Sequence, residues 1–176
     1  FRGIALTAAL VILLGALVLY SFGFSDIPDR GERLWAAVFH SISAYNNAGF
    51  GLWSDSLQRY HNNVVVNGVV MVLIVMGGLG WRVTSDLASQ AMRPRGRRRR
   101  RLSLHTRLLL RTTALLVMFG AVGLALTECL NRGEVFIAMA WPERWMTALF
   151  ESVSARTAGF TTVPFSLENI SDSGTL

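Results

Sequence analysis

Long uncharged runs alternate with short polar segments along the chain, and this pattern predicts helices that cross a membrane. Crossing the hydrocarbon of a bilayer takes about 20 apolar residues, and three segments approach that length: 3–24, 63–86 and 104–129. The third contains Arg107 and Arg111, whose aliphatic stems can reach the headgroups. The pattern therefore predicts an all-α integral membrane protein, and a content of 52% hydrophobic residues agrees with it.

The first apolar segment could instead be a secretory signal, because Arg2 precedes it. Its uncharged core is longer than the roughly 7 to 15 residues of a signal peptide. It also ends in the aromatic segment Tyr20–Phe24 rather than in a small-residue cleavage site. We therefore expect a retained membrane helix.

One motif occurs twice: FHSISAYNNAGF at Phe39–Phe50 and FESVSARTAGF at Phe150–Phe160. Each copy follows an apolar segment, is too short to cross a bilayer as a helix, and ends in Ala-Gly-Phe. The chain therefore divides into two units joined by a basic link. The predicted unit 1–90 has a short helix 32–45 and a loop 46–54, the link is 91–103, and the unit 104–176 has a short helix 142–155 and a loop 156–163 but no last span.

Charge is distributed unevenly between the two sides of the predicted membrane. All 17 basic residues are arginine. The side that holds the link 91–103 carries eleven of them and one acid, Asp86, whereas the other side carries six arginines and ten acids. By the positive-inside rule the link is cytoplasmic and both loops are extracellular.

The run RPRGRRRRR at 93–101 could be a nucleic-acid arm if it stood alone. It lies between two spans, however, and has no aromatic residues on which bases could stack. We therefore expect it to set the topology and to contact anionic membrane lipid, with no nucleic-acid partner.

A helix that stops part way through a membrane leaves about four carbonyls unpaired at its end, and each unsatisfied group costs several kcal/mol there. A cation on a pore axis would meet them, because the carboxyl end of a helix is negative and the loop can turn its own carbonyls toward the ion. The small residues of 46–49 and 157–159 would allow such a ring. The alternative is a re-entrant turn in which Ala-Gly only caps the helix. The motif occurs at the same place in two equivalent units, however, and this repetition favours a pore.

The segments FHSISAYNNAGFGLWSDSL and LFESVSARTAGFTTVPFS resemble the second and third pore regions of the Trk/Ktr/HKT superfamily of potassium transporters, and of its KtrB-like membrane subunits above all. MGGLG and LSLHTRLLLRTTALL are also similar to that family. The resemblance implies four span, pore helix, span repeats arranged pseudo-fourfold around one pore in the bacterial plasma membrane. It also implies a homodimer of the full-length protein and a cytosolic nucleotide-binding regulatory subunit.

On that resemblance this chain is a fragment with two of the four filter stretches, and it should not conduct ions alone. Potassium is the expected ion, with sodium as a candidate coupling ion. The expected ligands are backbone carbonyls, and four neighbouring residues are expected to support the filter. The ligands are Asn47, Ala48, Gly49, Thr157, Ala158 and Gly159, and the supporting residues are Asn46, Phe50, Arg156 and Phe160.

Several side chains have more than one interpretation. We expect Arg156 to point behind the filter and to pair with an acid such as Glu151 or Glu168. The amides of Asn46 and Asn47 either brace the loop or bind an ion, and bracing is favoured. His40 either titrates or is packed, and the glycines of MGGLG form either a hinge or a close helix contact.

The sequence offers no basis for an enzyme. It has one cysteine, its three histidines are far apart, and it contains no catalytic triad or phosphate-binding loop. We expect no metal site beyond potassium. The competing function is a non-conducting membrane scaffold or assembly subunit built from re-entrant hairpins.

Overall fold

The computed structural model describes residues 2–91, 102–130 and 139–163, and within these the chain is helical with no strand. Most of the predicted link and Glu168 lie outside the described residues. The helices are α1 Arg2–Val18, continued by a π-helical turn Leu19–Gly23, α2 Arg30–Tyr45, a 3-10 turn Gln58–Tyr60, α3 Val64–Ala91, α4 Leu104–Leu130 and α5 Trp141–Thr157.

Three of the described helices are long and apolar enough to cross a membrane. They cover Gly3–Gly23, Val64–Gln90 and Leu104–Thr127, so the prediction of an all-helical protein with three span-length helices is confirmed. Large apolar side chains such as Leu13 on α1 and Phe119 on α4 are exposed, at 62% and 81%. Such surfaces suit contact with hydrocarbon or with further membrane helices.

The short helices α2 and α5 begin at acidic groups. The Asp29 carboxylate accepts a 2.7 Å hydrogen bond from the backbone N–H of Glu32, and the Glu143 carboxylate accepts one of 3.2 Å from the N–H of Ala140. Both contacts satisfy amides that a helix start leaves unpaired. α2 packs between α1 and α3, whereas α5 packs against α4 and α3. α3 is thus shared by both short helices.

Each short helix is fixed to the span before it by a serine hydroxyl that donates to a backbone carbonyl of that span, over 2.6 Å in the first unit and 2.8 Å in the second. A glycine three residues after the carbonyl leaves room for the serine. The residues are Ser41, Ile12 and Gly15 in the first unit, and Ser152, Val117 and Gly120 in the second.

One buried apolar cluster includes side chains from both units. It contains Phe24 and Leu57 of the first unit together with Phe150 and Phe160 of the second, each at most 1% exposed. Burying apolar surface stabilises such a cluster by about 25 cal/mol per Å² wherever water would otherwise reach that surface. The two units therefore pack as one body.

The sequence left two roles open for the glycines of MGGLG, a hinge or a close helix contact. In the structure the three glycines differ in role. A Cβ atom built on Gly77 would overlap the carbonyl oxygen of Tyr45, and one built on Gly78 would lie 3.1 Å from Nη2 of Arg156. These two glycines serve close packing. Gly80 has a φ of 75° and interrupts α3, so it is the residue at which the helix kinks.

Candidate functional site

The loops that follow α2 and α5 meet directly. A Cβ atom built on Gly49 would overlap the carbonyl oxygen of Ala158. Farther along both loops, the N–H of Leu57 donates to the carbonyl of Thr161 over 3.1 Å. The structure therefore brings together the segments 47–49 and 157–159, which are 110 residues apart in the chain.

Both loops contain left-handed backbone at the position of the motif glycine. φ is 72° at Gly49 and 83° at Gly159, and Asn47 also has a positive φ of 53°. Glycine adopts this conformation at no steric cost, and asparagine tolerates it better than most residues. The glycine of the motif is thus explained in both units by its left-handed backbone. In the first unit it is also explained by the close approach of the Ala158 carbonyl oxygen to Gly49.

The carbonyls at the ends of the short helices are partly satisfied by the protein itself. The carbonyls of Ile42, Ser43 and Ala44 accept hydrogen bonds of 2.9 to 3.1 Å from the N–H groups of residues 46–48. In the second unit, the carbonyl of Ser154 accepts from the N–H groups of both Ala158 and Gly159. The loops turn back on their own helices, so these carbonyls need no ion.

The carbonyls without a hydrogen bond extend from the helix ends into the segments that follow. Among the residues that the structure describes, no hydrogen bond reaches the carbonyls of 47–49 or 157–159. Such groups at membrane depth are tolerated only where they line a cavity or are buried in protein. Six free carbonyls on two touching loops can replace part of the hydration shell of a cation.

The carbonyl after each glycine is held differently. Ser43 Oγ donates to the carbonyl of Phe50 over 2.8 Å, and Ser154 Oγ donates to that of Phe160 over 2.6 Å. Sequence reasoning missed these serines. The signal was present, because Ser-x-Ser occurs at the same place in both copies of the motif.

The two asparagine amides bind the backbone. Asn46 Nδ2 donates to the carbonyl of Ile42 over 2.8 Å. The Asn47 amide is oriented by its neighbours, with Nδ2 toward the carbonyl of Ile74 and Oδ1 toward the N–H of Gly78, each at 3.2 Å. Nδ2 also lies 3.1 Å from Oγ1 of Thr157, so Asn47 joins the first loop to α3 and to the second unit.

Arg156 and Thr157 lie in the last turn of α5, not in the loop as the sequence suggested. The Arg156 guanidinium extends toward α4, where Nη1 donates to Oγ1 of Thr113 over 3.0 Å. The predicted ion pair with Glu151 is wrong, because that carboxylate is engaged by the N–H and Oγ1 of Thr162 at 2.7 and 3.0 Å. A cation at the carboxyl end of α5 is also favoured by the helix dipole. The alternative partner, Glu168, lies outside the described residues.

The two phenylalanines of the motif have opposite environments. Phe160 is 1% exposed and packs in the cluster shared with the first unit, whereas Phe50 is 69% exposed. A Cβ atom built on Gly159 would meet nothing of the described chain within 4 Å, unlike one on Gly49. Each loop thus has one side that packs against the other unit and one side that is open in the described chain.

His40 is buried behind the first loop. Its ring stacks on Trp53 with centroids 4.7 Å apart, and Nδ1 lies 2.8 Å from the carbonyl of Ala36. Burial lowers the pKa of His40, since the charged ring would lose its solvent. The packed interpretation of this histidine therefore applies.

Known proteins resemble this chain in sequence. The chain matches the family model described as TrkH, cation transport protein, over residues 2–174. It is 35% identical over 155 residues to the Ktr system potassium uptake protein B of Bacillus subtilis (strain 168), and 37% identical over 155 residues to the protein of that name from Vibrio alginolyticus. It is 34% identical over 160 residues to the potassium/sodium uptake protein NtpJ of Enterococcus hirae.

These alignments cover 87%, 84% and 90% of this chain but 33% of each relative. The chain therefore spans about a third of the length of these relatives. The family match, in contrast, extends over nearly all of its residues. The chain belongs to the TrkH family of cation transport proteins.

Proposed function

We propose that this chain supplies two pore loops of a transporter that takes up potassium across the bacterial plasma membrane. The observation that carries the proposal is the set of six backbone carbonyls, at 47–49 and 157–159, that accept no hydrogen bond from the described chain. The two segments that carry them touch each other at Gly49 and Ala158, and rings of such carbonyls select potassium in other proteins. Potassium is the substrate, and sodium is a candidate coupling ion because one relative is named for both.

The open sides of the two loops support a ring of further units. Phe160 packs toward the unit before it, and Gly49 touches the unit after it. The exposed Phe50 and the open space beside Gly159 would receive the same contacts from a preceding and a following unit. Repeating one interface in this way closes a pseudo-fourfold pore with four loops, in which this chain supplies the second and third.

The orientation follows from the charges. The arginine-rich link 91–103 lies in the cytoplasm against anionic lipid, and the loops open to the outside. α2 and α5 then direct their negative carboxyl ends at the entering cation. In the full-length protein, a homodimer and a cytosolic nucleotide-binding regulatory subunit complete the assembly, as the family resemblance implies.

A growth experiment separates this function from a non-conducting scaffold. The full-length protein should restore growth of a bacterial strain that lacks potassium uptake when potassium is limiting. Gly49→Ser and Gly159→Ser should each weaken the preference for potassium over sodium in uptake assays. Restored growth with both substitutions leaving uptake and selectivity unchanged would refute the assignment of the filter, and no rescue by well-expressed protein would favour the scaffold.

A further inference from the structure

The second serine of each Ser-x-Ser doublet binds the loop that follows its own helix. Ser43 and Ser154 are 5% and 1% exposed, and their hydroxyls donate to the carbonyls of Phe50 and Phe160. Each serine lies six or seven residues before the phenylalanine whose carbonyl it binds, so the hydrogen bond spans the whole glycine turn. The same bond in two units of different loop length is a shared feature of the site.

The first serine of each doublet has a separate partner. Ser41 and Ser152 donate to carbonyls of α1 and α4, away from the loops. One face of each short helix thus binds the preceding span, while the other binds the filter loop. The doublet provides a matched internal control for the role of its second member.

A hydroxyl that donates to a carbonyl fixes the direction of that carbonyl, because the donor prefers the lone-pair directions in the plane of the C=O group. The carbonyls of Phe50 and Phe160 are therefore turned back toward their short helices. The carbonyls before them, at Gly49 and Gly159, accept no such bond from the described chain. The change from free to bound carbonyl occurs at the same step of both motifs.

We propose that Ser43 and Ser154 are positioning residues that set the outer end of the filter. By holding the phenylalanine carbonyls away from the ion path, they leave the glycine carbonyls as the outermost backbone ligands and fix the left-handed glycine turn before them. This role rests on the proposed function, since it concerns the same loops. It predicts that losing the hydroxyl changes ion preference rather than protein abundance alone.

The test uses the full-length transporter in proteoliposomes, with initial rates of potassium and sodium uptake and the amount of reconstituted protein measured together. Ser43→Ala and Ser154→Ala should each reduce the potassium-to-sodium uptake ratio by about three- to tenfold, the factor that corresponds to one lost hydrogen bond. Ser43→Thr and Ser154→Thr keep the hydroxyl and should retain most of the ratio. Ser41→Ala and Ser152→Ala are the controls, and they should lower the amount of protein while preserving the ratio.

Where an alanine variant does not insert, the cysteine variant at that position decides, because it keeps the shape of serine with a much weaker donor. An unchanged ratio in the alanine or cysteine variants would overturn the proposal, as would an equal loss of ratio in all four alanine variants. In both cases the unaltered protein still takes up potassium, so the proposed function survives. Absence of uptake by the unaltered protein would instead contradict the proposed function, and the role of the serines with it.

Discussion

The carbonyl oxygen of Ala158 occupies the position at which Gly49 would carry a side chain. Glycine at position 49 is therefore required by the neighbouring unit as well as by its own φ of 72°. A side chain here would push the second loop away from the first. The contact at Gly49 therefore sets how closely the two loops approach each other.

Gly49→Ala should reduce potassium uptake by the full-length protein and weaken its preference for potassium over sodium. The new methyl group would overlap a backbone oxygen, and a left-handed backbone costs a non-glycine residue about 1–2 kcal/mol. Gly68→Ala on α3 is the control, because a Cβ atom built there meets nothing within 4 Å of the described chain. Uptake assays of both variants at matched protein levels should show reduced rates in the first and normal rates in the second; normal uptake by Gly49→Ala would contradict the close contact.

Arg156→Gln should reduce the amount of assembled protein more than it alters ion preference. The guanidinium joins α5 to Thr113 of α4 beside Gly78 of α3, so its loss loosens the packing of α5 against these two helices. Membrane fractionation and uptake ratios measured on the same preparations check this. Arg30→Gln serves as the control, since Arg30 is exposed at the start of α2 and forms no ion pair within the described chain. Normal protein levels with altered selectivity would count against the structural role.

Glu151→Gln should leave the protein at least as stable as the unaltered form near neutral pH. Burial raises the pKa of Glu151, while hydrogen bonds from Thr162 and from the backbone N–H of Val163 oppose that shift. A carboxyl whose folded pKa is raised costs stability as pH rises from its ordinary value of 4.5 through the folded value. Glutamine keeps an acceptor for Thr162 and does not titrate.

Thermal unfolding of the purified protein at about pH 5 and about pH 8 checks this prediction. The advantage of Glu151→Gln over the unaltered protein should increase with pH. Glu143→Gln, at the exposed start of α5, should gain nothing. A growing disadvantage of Glu151→Gln with pH would mean that the ionised carboxylate stabilises the fold.

Gly120→Ala should destabilise the contact between α4 and α5. A Cβ atom there would overlap Oγ of Ser152, and overpacking costs typically 1–3 kcal/mol. Gly123→Ala, one turn along the same helix, is the matched control because its Cβ atom would meet nothing within 4 Å of the described chain. Unfolding temperatures in detergent should separate the two variants, and equal temperatures would contradict the serine contact.

The sequence predicted the helices well because their signals are local. Length and lack of charge identified the spans, and the acids Asp29 and Glu143 marked where α2 and α5 begin. The repeated motif also identified the two loops that the structure brings together. These features depend on a few consecutive residues, so tertiary structure does not override them.

The remaining features depend on contacts between distant residues. Arg156 and Thr113 are 43 residues apart, and Ser152 and Val117 are 35 apart. No periodicity identifies such pairs, which is why an acid was the expected partner of Arg156. The hydrogen bonds at the helix ends were missed for a similar reason, because the return of each loop onto its helix depends on φ values that the sequence permits but does not require.

The central claim is that the carbonyls of the two loops hold potassium. The most direct measurement is an anomalous diffraction map of crystals of the full-length protein in which rubidium replaces potassium. We predict a peak bounded by the carbonyls of 47–49 and 157–159, on the inner side of the Phe50 and Phe160 carbonyls. A protein that takes up rubidium but shows its ordered ions elsewhere, with no peak between these loops, would contradict the account.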